Sequence, residues 1–122
     1  MRATTSVLVI DDDEGIREFV RAALHDEGYR VVAAPDGQAA LNLLRNDPPG
    51  LILLDLWMPD MDGAAFLDAY RRLPAPHAPV VIFAASTDGE LEAMPTDIAG
   101  YLPKPVDLEE LLAAVARYTP GA

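Results

Sequence analysis

Six charged side chains in this 122-residue chain stand where short apolar runs stop. Val7-Leu8-Val9-Ile10 gives way to Asp11-Asp12-Asp13-Glu14, Leu51-Ile52-Leu53-Leu54 to Asp55, and Gly100-Tyr101-Leu102-Pro103 to Lys104. Carboxylates brought together either raise one another's pKa or bind a cation. An oxygen-only set suits a hard ion, Mg²⁺ or Mn²⁺. Asp11, Asp12 and Asp55 carry three negative charges, which one divalent cation and Lys104 would balance. Such a site can receive a phosphoryl group, and a carboxylate can itself be the acceptor, forming an aspartyl phosphate. In-line transfer asks the protein for positioning and charge neutralisation more than for covalent help. Each feature also has a plainer use. Acids are favoured where a helix opens, an Asp after a strand is commonly a helix cap, and a single lysine is commonly surface. Joint placement in one crevice is what separates the two readings.

That placement depends on the elements between the charges. Val7–Ile10, Leu51–Leu54 and Val80–Ala85 are continuous apolar runs, as in strands buried on both faces of a parallel sheet. Arg30–Ala34 is a weaker run and Gly100–Pro103 a short fifth. Helical periodicity fills most of the gaps. Ile16, Phe19, Val20, Ala23 and Leu24 form one apolar face, with Gly28 as its stop. Asp36 caps a helix carrying Ala40, Leu41 and Leu44, which ends before Pro48-Pro49. Phe66, Leu67, Tyr70 and Leu73 mark a third helix, ending before Pro74. Asp107-Leu108-Glu109-Glu110 is an Asp variant of the capping box, opening a helix with Leu108, Leu111, Leu112 and Val115 inward. Between Ser86 and Ala99, Asp88, Gly89 and Pro95 interrupt the pattern, so the fourth helix is expected to be short or distorted. Strands alternating with helices specify an α/β domain with one parallel sheet and helices on both faces. The crevice of such a sheet lies at the carboxyl ends of its strands, where Asp11, Asp12, Asp55 and Lys104 fall.

Composition narrows the function classes. The chain holds 20 Asp and Glu against 9 Lys and Arg, a net charge of −11, and Lys104 is the only lysine. Phosphate-rich partners such as nucleic acid or an anionic membrane are disfavoured by that charge. The absence of cysteine excludes disulfides, thiolate metal sites and a Cys nucleophile. No run approaches the ~20 apolar residues of a membrane span, and the N-terminal apolar run is too short for a signal peptide. The expectation is one cytoplasmic domain over residues 1–122, with its core at about 6–118 and no output domain following.

The segments Val9-Ile10-Asp11-Asp12-Asp13, Leu53-Leu54-Asp55-Leu56-Trp57-Met58-Pro59-Asp60-Met61-Asp62-Gly63 and Tyr101-Leu102-Pro103-Lys104-Pro105 resemble the receiver domain of two-component response regulators, as in chemotaxis and phosphorelay signalling. The resemblance implies a flavodoxin-like doubly wound sheet of order 2-1-3-4-5. It implies Asp55 as phosphoacceptor, Asp12 as direct Mg²⁺ ligand and Asp11 as a ligand acting through water. The backbone carbonyl of Trp57 completes the protein's share of the metal shell. Lys104 pairs with the phosphoryl group, and Lys104-Pro105 matches a bond that is typically cis. The implied partners are a sensor histidine kinase or histidine phosphotransfer protein as donor, and an output domain or effector protein as reader. A monomer or weak homodimer is expected. Such a module is a phosphoacceptor that catalyses only its own phosphorylation and dephosphorylation.

The pattern breaks at one place. The family usually carries Ser or Thr at the end of the fourth strand, and here Ala84 falls there. The missing hydroxyl normally bonds the phosphoryl oxygen and couples it to an aromatic residue on strand five, here Tyr101. Ser86 or Thr87 could substitute only if the strand end is remodelled. The pocket is therefore expected to be complete while the switch involving Tyr101 is atypical. Trp57, two residues after Asp55, is either a loop aromatic or a shield for the acyl phosphate. Pro103 is tolerable if the fifth strand is a sheet edge. Two other functions compete: a receiver-shaped protein-binding scaffold independent of phosphate, and a Mg²⁺-dependent phosphohydrolase with an Asp nucleophile. The latter class generally needs a second acid two residues on, where this chain has Trp57. A nucleotide-binding module fails because the first strand opens into acids instead of glycines.

Overall fold

The computed structural model describes residues 6–58, 61–74, 76–85, 95 and 97–119. Five strands are laid down in chain order: β1 (Ser6–Ile10), β2 (Arg30–Ala34), β3 (Leu51–Asp55), β4 (Val80–Ala85) and β5 (Gly100–Lys104). All neighbours pair in parallel, in the order β2-β1-β3-β4-β5. β5 is thus an edge, which is where Pro103, lacking an N–H, is tolerated. Among the described residues, four helices connect or follow the strands: α1 (Glu14–Asp26), α2 (Gly37–Leu44), α3 (Gly63–Arg71) and α4 (Leu108–Tyr118). The short or distorted helix expected between Ser86 and Ala99 falls largely outside the described residues.

The sheet is apolar on both faces because alternate side chains of each strand point opposite ways. Leu8, Ile10, Ile52, Leu54, Val80 and Ile82 join one core layer with Ala40, Leu41 and Leu44 of α2 and Phe66, Leu67 and Tyr70 of α3. Val7, Val9, Leu51, Leu53, Val81 and Phe83 join the other, with Val20 and Leu24 of α1 and Leu111 and Val115 of α4. Complete burial of a Leu, Ile or Phe contributes about 1.5–3 kcal/mol relative to its exposure, so the central strands anchor the molecule.

Each helix begins on an aspartate. Asp13, Asp36, Asp62 and Asp107 accept from the backbone N–H of Ile16, Ala39, Ala65 and Glu110, at 3.2, 2.8, 2.8 and 3.0 Å. Each bond satisfies a donor that the helix itself leaves unpaired. α1 ends as its sequence indicates: Gly28 adopts φ 92°, its N–H donates to His25 O at 3.0 Å, and the Tyr29 N–H donates to Leu24 O at 3.0 Å.

Two apolar positions depart from the periodicity. Phe19 is 39% exposed and Leu108 46% exposed. Phe19 lies at the edge of the apolar stripe of α1 and Leu108 is the first residue of α4, places where burial depends on how far the opposing surface extends.

Candidate functional site

β1 and β3 end at the same level, with Ile10 opposite Leu54; Asp55 pairs with Phe83 and Phe83 with Leu102, so Lys104, opposite Ala85, stands two residues farther along the carboxyl end of the sheet. Asp11 directly follows β1, Asp55 closes β3 and Lys104 closes β5. Two strand spacings, roughly 10 Å, separate the β3 and β5 backbones, and the long lysine stem bridges most of that gap. Lys104 Nζ donates to Asp55 Oδ1 at 2.7 Å. The β4 terminus between them carries only methyl groups, at Ala84 and Ala85.

Oxygens of Asp11, Asp12 and Asp55 all lie within 4.8 Å of one another. Their environments differ. Asp11 is fully buried and Asp55 nearly so, while Asp12 is exposed. Asp11 Oδ1 accepts the Asp13 backbone N–H at 2.9 Å. Asp11 Oδ2 is the one buried side-chain oxygen or nitrogen among the described residues with no hydrogen-bond partner.

The electrostatics follow from this burial. Desolvation pushes the Asp11 carboxyl up from its ordinary 3.8 to about 6; the Asp13 N–H and Lys104 oppose the rise, and Asp55 and Asp12 add to it. Burial also raises Asp55, while the Lys104 ammonium and the Trp57 backbone N–H pull it back and Asp12 pushes it further. Three carboxylates with only oxygen donors, one of them holding an orphaned buried oxygen, fit a hard divalent cation.

The remaining residues singled out by sequence sit around this centre. Trp57 is 48% exposed, two residues beyond Asp55. The Lys104–Pro105 peptide bond is cis. Ala84 is fully buried, pairs with Pro103 and packs into the α2/α3 core layer. Tyr101 pairs with Ile82 two residues earlier on β5 and is 47% exposed. Ser86 and Thr87, the substitute hydroxyls, lie outside the described residues, as do Pro59 and Asp60.

Three contributors were not legible as site residues. Asp13 supports the site twice, through its N–H to Asp11 and as the α1 cap. Arg17 Nη1 donates to the backbone carbonyl of Asp11 at 2.7 Å. Gly63 closes the loop after β3: its N–H donates to Leu56 O at 2.7 Å, and a Cβ there would lie 3.2 Å from that oxygen. In the Asp62-Gly63 pair, Asp62 caps α3 and Gly63 permits the close approach.

An open parallel sheet with carboxylates and a lysine converging at its carboxyl end defines a class of α/β domain with a single crevice for a charged ligand. The response regulator receiver domain model matches residues 7–116, and this chain belongs to that family. An uncharacterised 14.6 kDa protein of Leptolyngbya boryana is 37% identical over 120 residues, covering 95% of this chain and 91% of that protein. The response regulator MprA of Mycolicibacterium vanbaalenii is 39% identical over 111 residues, 88% of this chain but 47% of that protein. This chain therefore spans about half the length of that regulator. Among solved structures, the chemotaxis response regulator CheY4 of Vibrio cholerae superimposes with a TM-score of 0.84 at 31% identity, over 95% of this chain and 99% of that one. The receiver domain of NtrX from Brucella abortus gives 0.83 at 29% identity, over 95% and 99%. Among the described residues, no helix is long and apolar enough to cross a membrane.

Proposed function

We propose that this receiver domain accepts a phosphoryl group on Asp55 from a phosphohistidine. The observation that carries the reading is the convergence of the Asp55 carboxyl with Lys104 Nζ at 2.7 Å and with the Asp11 and Asp12 carboxylates. A carboxylate oxygen of Asp55 attacks phosphorus, the P–N bond to the donor imidazole breaks, and the imidazole leaves with the bonding pair and takes a proton. Asp11, Asp12, Asp55 and the Trp57 carbonyl would hold Mg²⁺, which when bound would supply charge neutralisation for the phosphoryl oxygens. Lys104 moves from its contact with Asp55 to the transferred group, keeping one cation beside the anion that is forming. Asp11 contributes a buried carboxylate with one unpartnered oxygen to the cluster, and the Trp57 ring covers the acyl phosphate.

The donor surface lies beside the crevice. Ile16, Phe19, Pro105 and Val106, together with Asp13, Gly15 and Lys104, line a recess of about 310 Å³. An apolar patch beside a charged site suits a histidine kinase or phosphotransfer protein, and accounts for the exposed Phe19. The net charge of −11 favours a partner with a basic face.

The output of the site is atypical in this reading. With a methyl group at Ala84, the phosphoryl oxygen has no hydroxyl on β4 to pull inward, so Tyr101 stays outward. Superimposable structures with and without beryllofluoride on the β5–α4 face support this. A large Tyr101 movement on phosphorylation overturns it.

The primary test is incubation with Mg²⁺ and acetyl phosphate, read by intact mass. The native chain gains one phosphoryl group and Asp55→Asn gains none. Equal labelling of the two overturns Asp55 as the acceptor, and no labelling of either favours a phosphate-independent scaffold.

A further inference from the structure

We infer that Arg17 is a positioning residue for the acidic site, holding the peptide that joins the two carboxylates Asp11 and Asp12 in the geometry a divalent cation needs. The inference rests on the proposed Mg²⁺ site.

The bond is specific. Arg17 Nη1 donates to the Asp11 carbonyl at 2.7 Å, short for a nitrogen donor and assisted by the guanidinium charge. That carbonyl stands where β1 leaves the sheet. The Asp11 N–H still donates to Ala34 O at 3.2 Å, the last step of the β1–β2 ladder. The chain then turns away, and the Asp11 carbonyl bonds Arg17 in place of a strand.

Both sides of the turn are therefore tied down. The Asp13 N–H holds Asp11 Oδ1 at 2.9 Å, and Arg17 holds Asp11 O. Between these two bonds lies the peptide linking Asp11 to Asp12. Rotation of that peptide moves the exposed Asp12 carboxylate relative to the buried Asp11 carboxylate. The Arg17 N–H also donates to Asp13 O at 3.1 Å, so backbone and side chain of one residue grip the turn at two points.

The location is unusual for a cation. Arg17 is the fourth residue of α1, and the first turn of a helix favours acids over bases. A basic residue there gains little from the helix and gains its contact from the loop.

A positioning role and a bystander role predict opposite signs. Removing a positive charge near three carboxylates by itself strengthens cation binding. Loss of positioning weakens it. Arg17→Met keeps the apolar stem and removes the donor; Arg17→Lys keeps a charge and a flexible donor. Arg17→Gln, with a shorter stem, provides a second loss-of-contact variant should Arg17→Met fail to fold.

The experiment is Mg²⁺ titration of each folded variant, followed by Trp57 fluorescence without any phosphodonor. Arg17→Met or Arg17→Gln is expected to bind Mg²⁺ about tenfold more weakly, the size seen when a group orienting a metal ligand is lost. Arg17→Lys is expected to recover most of that loss. Unchanged or tighter binding in Arg17→Met, or in Arg17→Gln where that variant stands in, overturns the inference while leaving the Mg²⁺ site intact. No Mg²⁺ response in the native chain, when Asp12→Asn is equally silent, overturns the site reading and the inference with it.

Discussion

Lys104 Nζ and Asp55 Oδ1 are 2.7 Å apart although 49 residues and two strand spacings separate them. The ammonium offsets a carboxylate that burial would otherwise drive toward its protonated form. Replacing Lys104 by Met is expected to raise the Asp55 pKa further and to slow labelling by acetyl phosphate at neutral pH. Labelling rate against pH measures both effects. An unchanged profile shows that Lys104 neither stabilises the carboxylate nor assists transfer.

Asp11 makes stability depend on pH with a sign opposite to that of a surface ion pair. Its native pKa is raised from 3.8 to about 6, so between these values the native state holds more protons than the unfolded state. Without a divalent cation, stability is therefore expected to fall as pH rises from about 4 to 6. Asp55 is shifted in the same direction and adds to the trend. Asp11→Asn flattens the profile. Denaturant midpoints measured in chelator across this range check it.

Mg²⁺ is expected to restore stability above that range. A ligand at one hundred times its Kd stabilises the native state by about 2.7 kcal/mol. Asp12→Asn is the informative variant, because Asp12 is exposed and its replacement leaves the core untouched. It should fold normally yet lose most of the Mg²⁺-dependent rise in melting temperature.

Gly63→Ala is expected to be costly out of proportion to one methyl group. Its Cβ would meet the Leu56 carbonyl oxygen at 3.2 Å and the Leu56 Cα at 3.3 Å, and backbone does not step aside as a flexible side chain does. A loss of about 1–3 kcal/mol in chemical denaturation is expected, typical of overpacking.

Trp57 tests the shielding idea. Its ring is half exposed beside Asp55. Trp57→Ala is expected to shorten the life of the phosphorylated protein severalfold without changing its fold. An unchanged rate of phosphate loss leaves Trp57 as a loop aromatic.

Much of the fold is legible because it rests on local chemistry. Val7–Ile10, Leu51–Leu54 and Val80–Ala85 are apolar throughout, short enough for strands and suited to burial on both faces. Asp36, Asp107 and Gly28 act where they stand in sequence, because capping joins atoms three to five residues apart. Phe19 and Leu108 were less legible. Periodicity marks which way a side chain points but not whether another surface reaches it, and both ended exposed.

The sequence alone determined the element order, the caps Asp36 and Asp107 and the three strand ends that carry Asp11, Asp55 and Lys104, since these depend on near neighbours. Tertiary structure decided the rest. The parallel register brought all three strand ends to the same edge of the sheet, with β5 running two residues past Asp55, which let Lys104 reach back onto it. Packing around β1 buried Asp11 and raised its pKa. The turn after β1 exposed a carbonyl to Arg17 six residues on. Each of these depends on distances and burial set by the assembled sheet, and neither quantity exists until the chain has folded.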